Sequence, residues 1–213
     1  MPGLFLTFEG VEGSGKSSRC RDLLEALRLR RCETVFTREP GGPDISERIR
    51  GLLLDPGLTV PPLTELMLYF AGRAANVDLV VSPALSRGAV VVCDRYGDAT
   101  MAYQGYGRGL PLDGIRTANR LATGGLKPHL TVLMDLDPEE GFRRMSSSGR
   151  KLDRIEMEDL AFHRRVRDGY LELASGEPER FLVVDGMLAP GEQNALILGE
   201  VIRRGEERKV AGL

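Results

Sequence analysis

Residues 10 to 17 read Gly-Val-Glu-Gly-Ser-Gly-Lys-Ser, a run whose residue types and spacing suit the binding of a polyphosphate. Glycines at 10, 13 and 15 let successive backbone N–H groups converge on anionic oxygens, and a helix starting behind them points its positive end at the same place. In this pattern Lys16 reaches the outer phosphates of a nucleoside triphosphate and the Ser17 hydroxyl ligates Mg²⁺. One residue does not suit the task. Glu12 puts a carboxylate inside the loop, and Glu9 puts another just before it.

Four further stretches carry groups of the right kind for a second anionic ligand. "TREPGG" (37–42) and "CDRYGDATMAYQGYGRG" (93–109) each follow an apolar run. Arg95, directly behind its run, could hold an anion, or it could be a surface arginine paired with Asp94 or Asp98. "LYFAGR" (68–73) sets Tyr69 and Arg73 four apart, hence on one helical face. That pair would suit a nucleobase, stacked by the ring and read at its edge by the guanidinium. By spacing alone, an aromatic at the core edge beside a solvated arginine fits as well. The last stretch, "FRRMSSSGRKLDRIE" (142–156), gathers Arg143, Arg144, Arg150, Lys151 and Arg154 around a Ser/Gly tip. It reads as a solvated face or as a mobile lid that brings charge to a transferring phosphoryl group.

The elements that must position these residues are visible as an alternation. Apolar runs at 4–8, 33–37, 89–94, 130–136 and 180–185 predict strands. Between and after them, periodic segments predict helices over 17–30, 44–54, 63–86, 111–123, 156–174 and 190–204. Asp44 is expected to cap the second helix, with Ile45, Ile49, Leu52 and Leu53 inward, and Thr64 stands near the start of the third. The third run, without polar alternation, predicts a strand buried on both faces. The fold class is α/β, a doubly wound parallel sheet with helices on both faces.

Bulk properties bound the rest. The chain has 213 residues, enough for one domain, and a formal net charge of −2, which gives no reason to expect a nucleic-acid surface. Cys20, Cys32 and Cys93 lack metal-ligand spacing and read as reduced structural thiols of a cytoplasmic protein. No long apolar run predicts a membrane helix or leader.

"FEGVEGSGKSS", "FTREPGG", "DRY…AYQGYGRG" and "LDRIE", in this order and spacing, closely resemble the thymidylate kinase (dTMP kinase) family, from about residue 4 to residue 185. The resemblance implies a P-loop nucleoside monophosphate kinase fold with a five-stranded parallel sheet and a lid at about 142–156. It implies the reaction ATP + dTMP → ADP + dTDP with Mg²⁺, in dTTP biosynthesis, by a homodimer. Residues 10–18 (Gly10, Val11, Glu12, Gly13, Ser14, Gly15, Lys16, Ser17, Ser18) would cradle ATP, with Ser17 toward the metal. Arg95 would bridge donor and acceptor phosphates, and Arg50 would lie near the acceptor. Tyr69 matches the family's thymine-stacking aromatic, usually Phe, and Phe70 beside it does not. Arg73 would bond the base, Thr100 and Gln104 would line its pocket, and Tyr103 would sit against the sugar. Pro40 falls where the family often has a cis peptide. Glu12 would face the acceptor's 3′-hydroxyl or meet Mg²⁺ through water, and Glu9 would be structural. With no base at positions 11–14, the loop matches the bacterial type, whose catalytic arginine comes from the lid: Arg150, with Arg154 or Arg144 as alternatives. The adenine is expected near Asp185–Pro190.

Two other readings remain open on sequence. One is a kinase for dUMP, CMP/UMP or another small acceptor. The other is a nucleotide-binding switch, against which stand the missing N-K-x-D guanine motif and the lid-like arginine cluster.

Overall fold

The protein is described here by a computed structural model, covering residues 2–146 and 151–213. Strands β1 (Leu4–Glu9), β2 (Thr34–Arg38), β3 (Val90–Asp94), β4 (Leu130–Asp135) and β5 (Phe181–Asp185) form one sheet in the order β2-β3-β1-β4-β5. Every pairing is parallel. The phosphate-loop strand β1 is therefore central, and the strand ends Glu9, Arg38, Asp94, Asp135 and Asp185 fall along one carboxyl edge. Ligands bind at that edge in open α/β sheets.

The period of two along β1 decides what the core and the edge receive. Leu4, Leu6 and Phe8 face a core built with α1 (Lys16–Leu29) and α9 (Pro190–Glu207), where Leu23, Leu27, Ile197 and Val201 are buried. Phe5, Thr7 and Glu9 face the opposite layer. There Phe5 packs with Val77, Val81 and Tyr96, while α8 (Leu160–Gly176) supplies Phe162, Val166 and Tyr170 to a neighbouring cluster. A strand with both faces covered has no polar side to show, which is why its sequence does not alternate.

The helices differ from expectation in informative ways. The long helix over 63–86 is divided: α3 (Pro62–Asn76), a π-helical stretch over Val77–Val81, and α4 (Ser82–Ser86). A second π-helical stretch, Met101–Gly107, extends α5 (Gly97–Thr100), in a segment with no sequence periodicity to announce it. Such widened turns recur at functional sites, and this one carries Tyr103 and Gln104. α2 (Asp44–Leu54) is preceded by Pro43 with no side-chain cap, so Asp44 is its first residue rather than its cap. Ile45 and Leu52, expected inward, are exposed, while Leu53 is buried. α6 (Leu112–Thr123), α7 (Pro138–Ser146) and α8 complete the set, with α8 starting four residues later than expected. Its cap explains the delay, since the Asp159 carboxylate accepts from the Phe162 N–H. Cys20, Cys32 and Cys93 are free and buried.

One histidine ties β1 to the approach of β4. The Phe5 N–H donates to His129 Nδ1 at 2.8 Å, and the His129 N–H returns a bond to the Phe5 carbonyl at 2.7 Å. Nδ1 can accept only while unprotonated. Burial first, and the nearby Arg208 guanidinium second, push this imidazole down to about 4. The unfolded chain therefore binds the extra proton between about pH 6.5 and pH 4, and stability falls as pH is lowered through that window. Discounted for a ring that is only half-buried, the loss is about 2 kcal/mol. Urea denaturation of wild type and His129→Asn across pH 4–7 is expected to show a flatter profile for the variant. Parallel profiles would contradict this.

Candidate active site

The phosphate loop has the geometry its glycines announced. Gly10, Gly13 and Gly15 have φ of 136°, 73° and 88°, and Gly15 is the left-handed residue that turns the chain into α1. Gly13 also answers a contact. A Cβ there would stand 2.3 Å from the Gly141 carbonyl oxygen, and a Cβ on Gly141 would stand 2.2 Å from that of Glu12. The first turns of α7 thus lie directly on the loop, backbone against backbone.

Lys16 is buried, its Nζ donating to the Val11 carbonyl at 3.3 Å. Burial first, then the Arg95 guanidinium, lower its pKa, while Glu12, Asp94 and Glu9 oppose the shift. The Ser17 hydroxyl donates to Asp94 Oδ2 at 2.6 Å. Asp94 Oδ1 and the Ser14 hydroxyl are buried with no hydrogen-bond partner among the described residues.

Glu12 turns away from Ser17 and into a pocket of donors. Its carboxylate lies 2.7 Å from Arg95 NH2, and the Tyr103 hydroxyl sits 2.6 and 2.7 Å from its two oxygens. His163 Nδ1 of α8 is 3.3 Å away. Burial alone would raise this carboxyl. Arg95 first, then His163, Lys16 and Tyr103, outweigh it and hold Glu12 well below the usual carboxylate range. Arg95 is neither a surface residue nor paired with Asp94 or Asp98. It sits in the left-handed region at φ 70°, its guanidinium 4.9 Å from the Tyr103 ring centroid and donating to the Tyr170 hydroxyl at 3.0 Å. Tyr170 passes the chain on to Glu9 at 2.7 Å, whose other oxygen accepts from the Tyr96 N–H at 2.8 Å. Burial raises the Glu9 carboxyl, and Asp98 adds to it. Glu9 is fully enclosed beneath the site and belongs to its scaffold, as the sequence suggested.

Arg73 is buried, against the simpler reading of a solvated side chain. It donates to Glu39 (2.7 Å), Asn119 (2.9 Å), the Tyr96 carbonyl (3.0 Å) and Thr100 (2.8 Å). Tyr69 and Phe70 divide as expected: Phe70 joins a core cluster with Leu66, Met101 and Ile115, and Tyr69 faces the crevice. Glu39–Pro40 is cis, and the Pro40 carbonyl accepts from Arg50 at 2.7 Å.

One cavity of about 460 Å³ unites these groups. Its wall runs from Gly13, Gly15, Lys16, Ser17 and Ser18 through Glu12 and Arg95 to Pro40, Arg50, Tyr69, Arg73, Thr100, Tyr103 and Gln104. Gly10, Val11 and Ser14 lie in the loop behind that wall. Of the three lid arginines named from sequence, Arg150 lies outside the described residues. Arg144 lines the cavity, bonded to Glu140 at 2.8 Å and to the Gly186 carbonyl at 3.1 Å. Arg154 instead donates to the Leu53 carbonyl and lies 2.6 Å from Glu65. Sequence reasoning weighed Asp94 only as a partner for Arg95 and passed over His163, Tyr170, Glu39 and Glu65. Only Asp94 left a signal, an acid closing the apolar run Val-Val-Val-Cys.

Residues 8–197 match the family model described as thymidylate kinase. A thymidylate kinase from Deinococcus radiodurans is 49% identical over 203 residues, covering 95% of this chain and 98% of that protein. One from Geotalea uraniireducens is 48% identical over 208 residues, with 95% and 98% covered. This chain belongs to the thymidylate kinase family. The crystal structure of thymidylate kinase from Ehrlichia chaffeensis superposes with a TM-score of 0.77 at 30% identity, covering 94% of this chain and 98% of that one.

The contact of α7 on the loop is open to test. Gly141→Ala is expected to cost about 1–3 kcal/mol of stability and to weaken ATP binding in calorimetry by shifting the backbone of the loop at Gly13. Wild-type values for both would show that the contact gives way without consequence.

Proposed function

We infer that this chain transfers the γ-phosphoryl group of ATP to dTMP, yielding ADP and dTDP in the supply of dTTP. The observation that carries the reading is the single cavity in which phosphate-loop residues and the Glu12–Arg95–Tyr103 group meet the Tyr69–Arg73 wall. A phosphate cradle at one end and an aromatic beside a planar hydrogen-bonding group at the other fit two nucleotides placed end to end.

The reaction asks for position and charge more than for a base. The acceptor phosphate has a second pKa near ~6 and is mostly dianionic at neutral pH, so it needs no deprotonation. Loop amides and Lys16 hold the ATP phosphates. Arg95, at the junction of the two ends, brings the acceptor phosphate up and stabilises charge on the transferring group, with Arg50 beside it. Glu12 is the counter-charge that keeps Arg95 aimed, and it accepts from the sugar hydroxyl of the acceptor. Tyr69 stacks on thymine, Arg73 donates to its edge, and Thr100, Gln104 and Pro40 shape its pocket. Arg150, outside the described residues, is the arginine proposed to complete the charge on the transferring group. The bond from Arg144 to the Gly186 carbonyl supports a reading in which the adenine lies near residues 185–190.

Mg²⁺ fits the donors present. Among the described residues no cluster of three or more His, Cys, Asp or Glu side chains could hold a metal. A magnesium ion carried by ATP needs only one or two protein oxygens, with water and phosphate supplying the rest. Ser17 and Asp94, with its partnerless buried Oδ1, offer them. When bound, the ion supplies positive charge at the β- and γ-phosphate oxygens. Among the described residues no helix is long and apolar enough to cross a membrane, in keeping with a cytoplasmic enzyme. The exposed Ile45 and Leu52 of α2 and Leu63 and Met67 of α3 supply an apolar face for a homodimer.

ADP release measured across dTMP, dUMP, dCMP, CMP and UMP is expected to favour dTMP. Preference for another acceptor, or nucleotide binding with no acceptor-dependent transfer, would overturn the reading. Lys16→Ala and Arg95→Ala are expected to lower kcat by about a hundredfold or more, whereas Arg73→Ala acts mainly on the dTMP KM. Asp94→Asn is expected to raise the Mg²⁺ concentration at half-maximal rate about tenfold with little change in Tm. An unchanged Mg²⁺ dependence would remove Asp94 from the metal site.

A further inference from the structure

One buried carboxylate lies outside the chemistry above, yet touches the residue that closes the base pocket. Glu65 is fully enclosed on α3, and residues 65, 69 and 73 fall four apart on one face of that helix. The face that presents Tyr69 and Arg73 to the cavity therefore also carries Glu65. Two side chains donate to it and a third cation lies beside it. Gln104 Nε2 donates to Oε1 at 2.8 Å, Arg108 reaches both oxygens at 3.3 Å, and Arg154 NH2 lies 2.6 Å from Oε2.

A primary amide has two different ends, and on its own it can present either. A carboxylate held between two guanidiniums has only lone pairs to offer, so the Gln104 NH₂ must face it. The carbonyl oxygen is left on the other side. It makes no hydrogen bond among the described residues, and Gln104, itself buried, lines the cavity beside Thr100 and Arg73.

We propose that Glu65 is a positioning residue for acceptor specificity: it fixes the Gln104 amide with its carbonyl toward the cavity, so that the site accepts a base carrying a ring N–H donor and rejects one carrying a ring acceptor. The inference rests on the dTMP site proposed above. Thymine has N–H at position 3. 5-Methylcytosine keeps the methyl group and ring but offers a bare nitrogen there, against which the Gln104 oxygen is an unpaired acceptor. A site built around a hydrogen bond rejects the analogue that lacks the matching group by far more than a shape-selective pocket does. Arg108 and Arg154 hold the carboxylate in place, which ties the root of the 142–156 segment to the reading of the base.

Glu65→Gln tests this, because glutamine offers one acceptor and one donor. The two arginines take its oxygen, its NH₂ then faces Gln104, and Gln104 must turn its own oxygen to meet it. The donor end of Gln104 now enters the cavity. With dTMP and 5-methyl-dCMP as acceptors, the ratio of their kcat/KM values is expected to fall about tenfold or more, through a higher KM for dTMP and a lower one for 5-methyl-dCMP. Glu65→Asp keeps an acceptor-only group and is expected to hold the ratio near the wild-type value even where Tm drops. Equal losses for both acceptors in Glu65→Gln, or the same ratio change in Glu65→Asp, would mean that Glu65 merely supports the fold, and would overturn the proposal.

Wild-type selectivity is measured first. Indifference between the two acceptors overturns the dTMP reading itself, whereas a preference that Glu65→Gln leaves intact overturns only the role of Glu65. Should Glu65→Gln fail to fold, the wild-type protein carries the test. The Gln104 side-chain NH₂ resonance, identified by its loss in Gln104→Leu, is expected to be protected from solvent exchange both free and with dTMP bound. Exchange at the rate of surface amides, or loss of protection on adding dTMP, overturns it.

Discussion

Placing Arg95 and Lys16 together at the dry end of a parallel sheet costs free energy, and the carboxylate of Glu12 offsets that cost. Beside the Arg95 guanidinium, the Lys16 ammonium would favour losing its charge, and both side chains would favour turning out to solvent. Glu12, 2.7 Å from Arg95 and held by Tyr103 and His163, keeps the guanidinium aimed. The acid that looked out of place in a phosphate loop is thus the condition for gathering cations beside it. A buried pair of this kind contributes little net stability, since desolvation cancels much of the attraction. Its effect is on orientation, holding the Arg95 guanidinium toward the cavity.

The rest of the molecule can be understood as support for that cluster. The central strand β1 delivers Glu9 and the loop, its neighbour β3 delivers Asp94 and Arg95, and α8 crosses behind with His163 and Tyr170. Glu9 receives the Tyr170 hydroxyl and the Tyr96 N–H, so the support of Arg95 joins two neighbouring clusters of the same layer. Gly13 and Gly141 let α7 rest on the loop itself, which joins the chain leading to the 142–156 segment to the position of Glu12. At the far end, Glu39 and Glu65 perform comparable tasks for Arg73 and Gln104. The carboxylates of Glu9, Glu12, Glu39 and Glu65 thus orient the groups around the cavity.

Much of this was legible in the sequence, for physical reasons. An apolar run without alternation, as at 89–94, marked a strand covered on both faces, and the glycines with Lys16 and Ser17 marked a loop between a strand and a helix. The pair Tyr69–Arg73 was visible as types at a spacing, and Arg95 as a cation directly behind a strand, although the burial of Arg73 and the partners of Arg95 were not. What stayed hidden depends on contacts across long separations. Nothing local marks His163 as a neighbour of Glu12 or Glu65 as a neighbour of Gln104, because the sheet order brings them together. The π-helical stretches also escaped notice, since a widened turn leaves no period in a run as short as Met101–Gly107. On α2, Ile45 and Leu52 obey a helical pattern and still face outward. Periodicity shows that a helix has an apolar face and cannot say what covers it.

The account stands or falls on Glu12 belonging to the acceptor's side of the site rather than to ATP. Steady-state kinetics of Glu12→Gln, with dTMP and ATP each varied at saturating partner, addresses this directly. The expected result is a dTMP KM raised about tenfold or more with the ATP KM within about twofold of wild type. Equal losses for the two substrates would place Glu12 in the ATP cradle and contradict the division of the cavity.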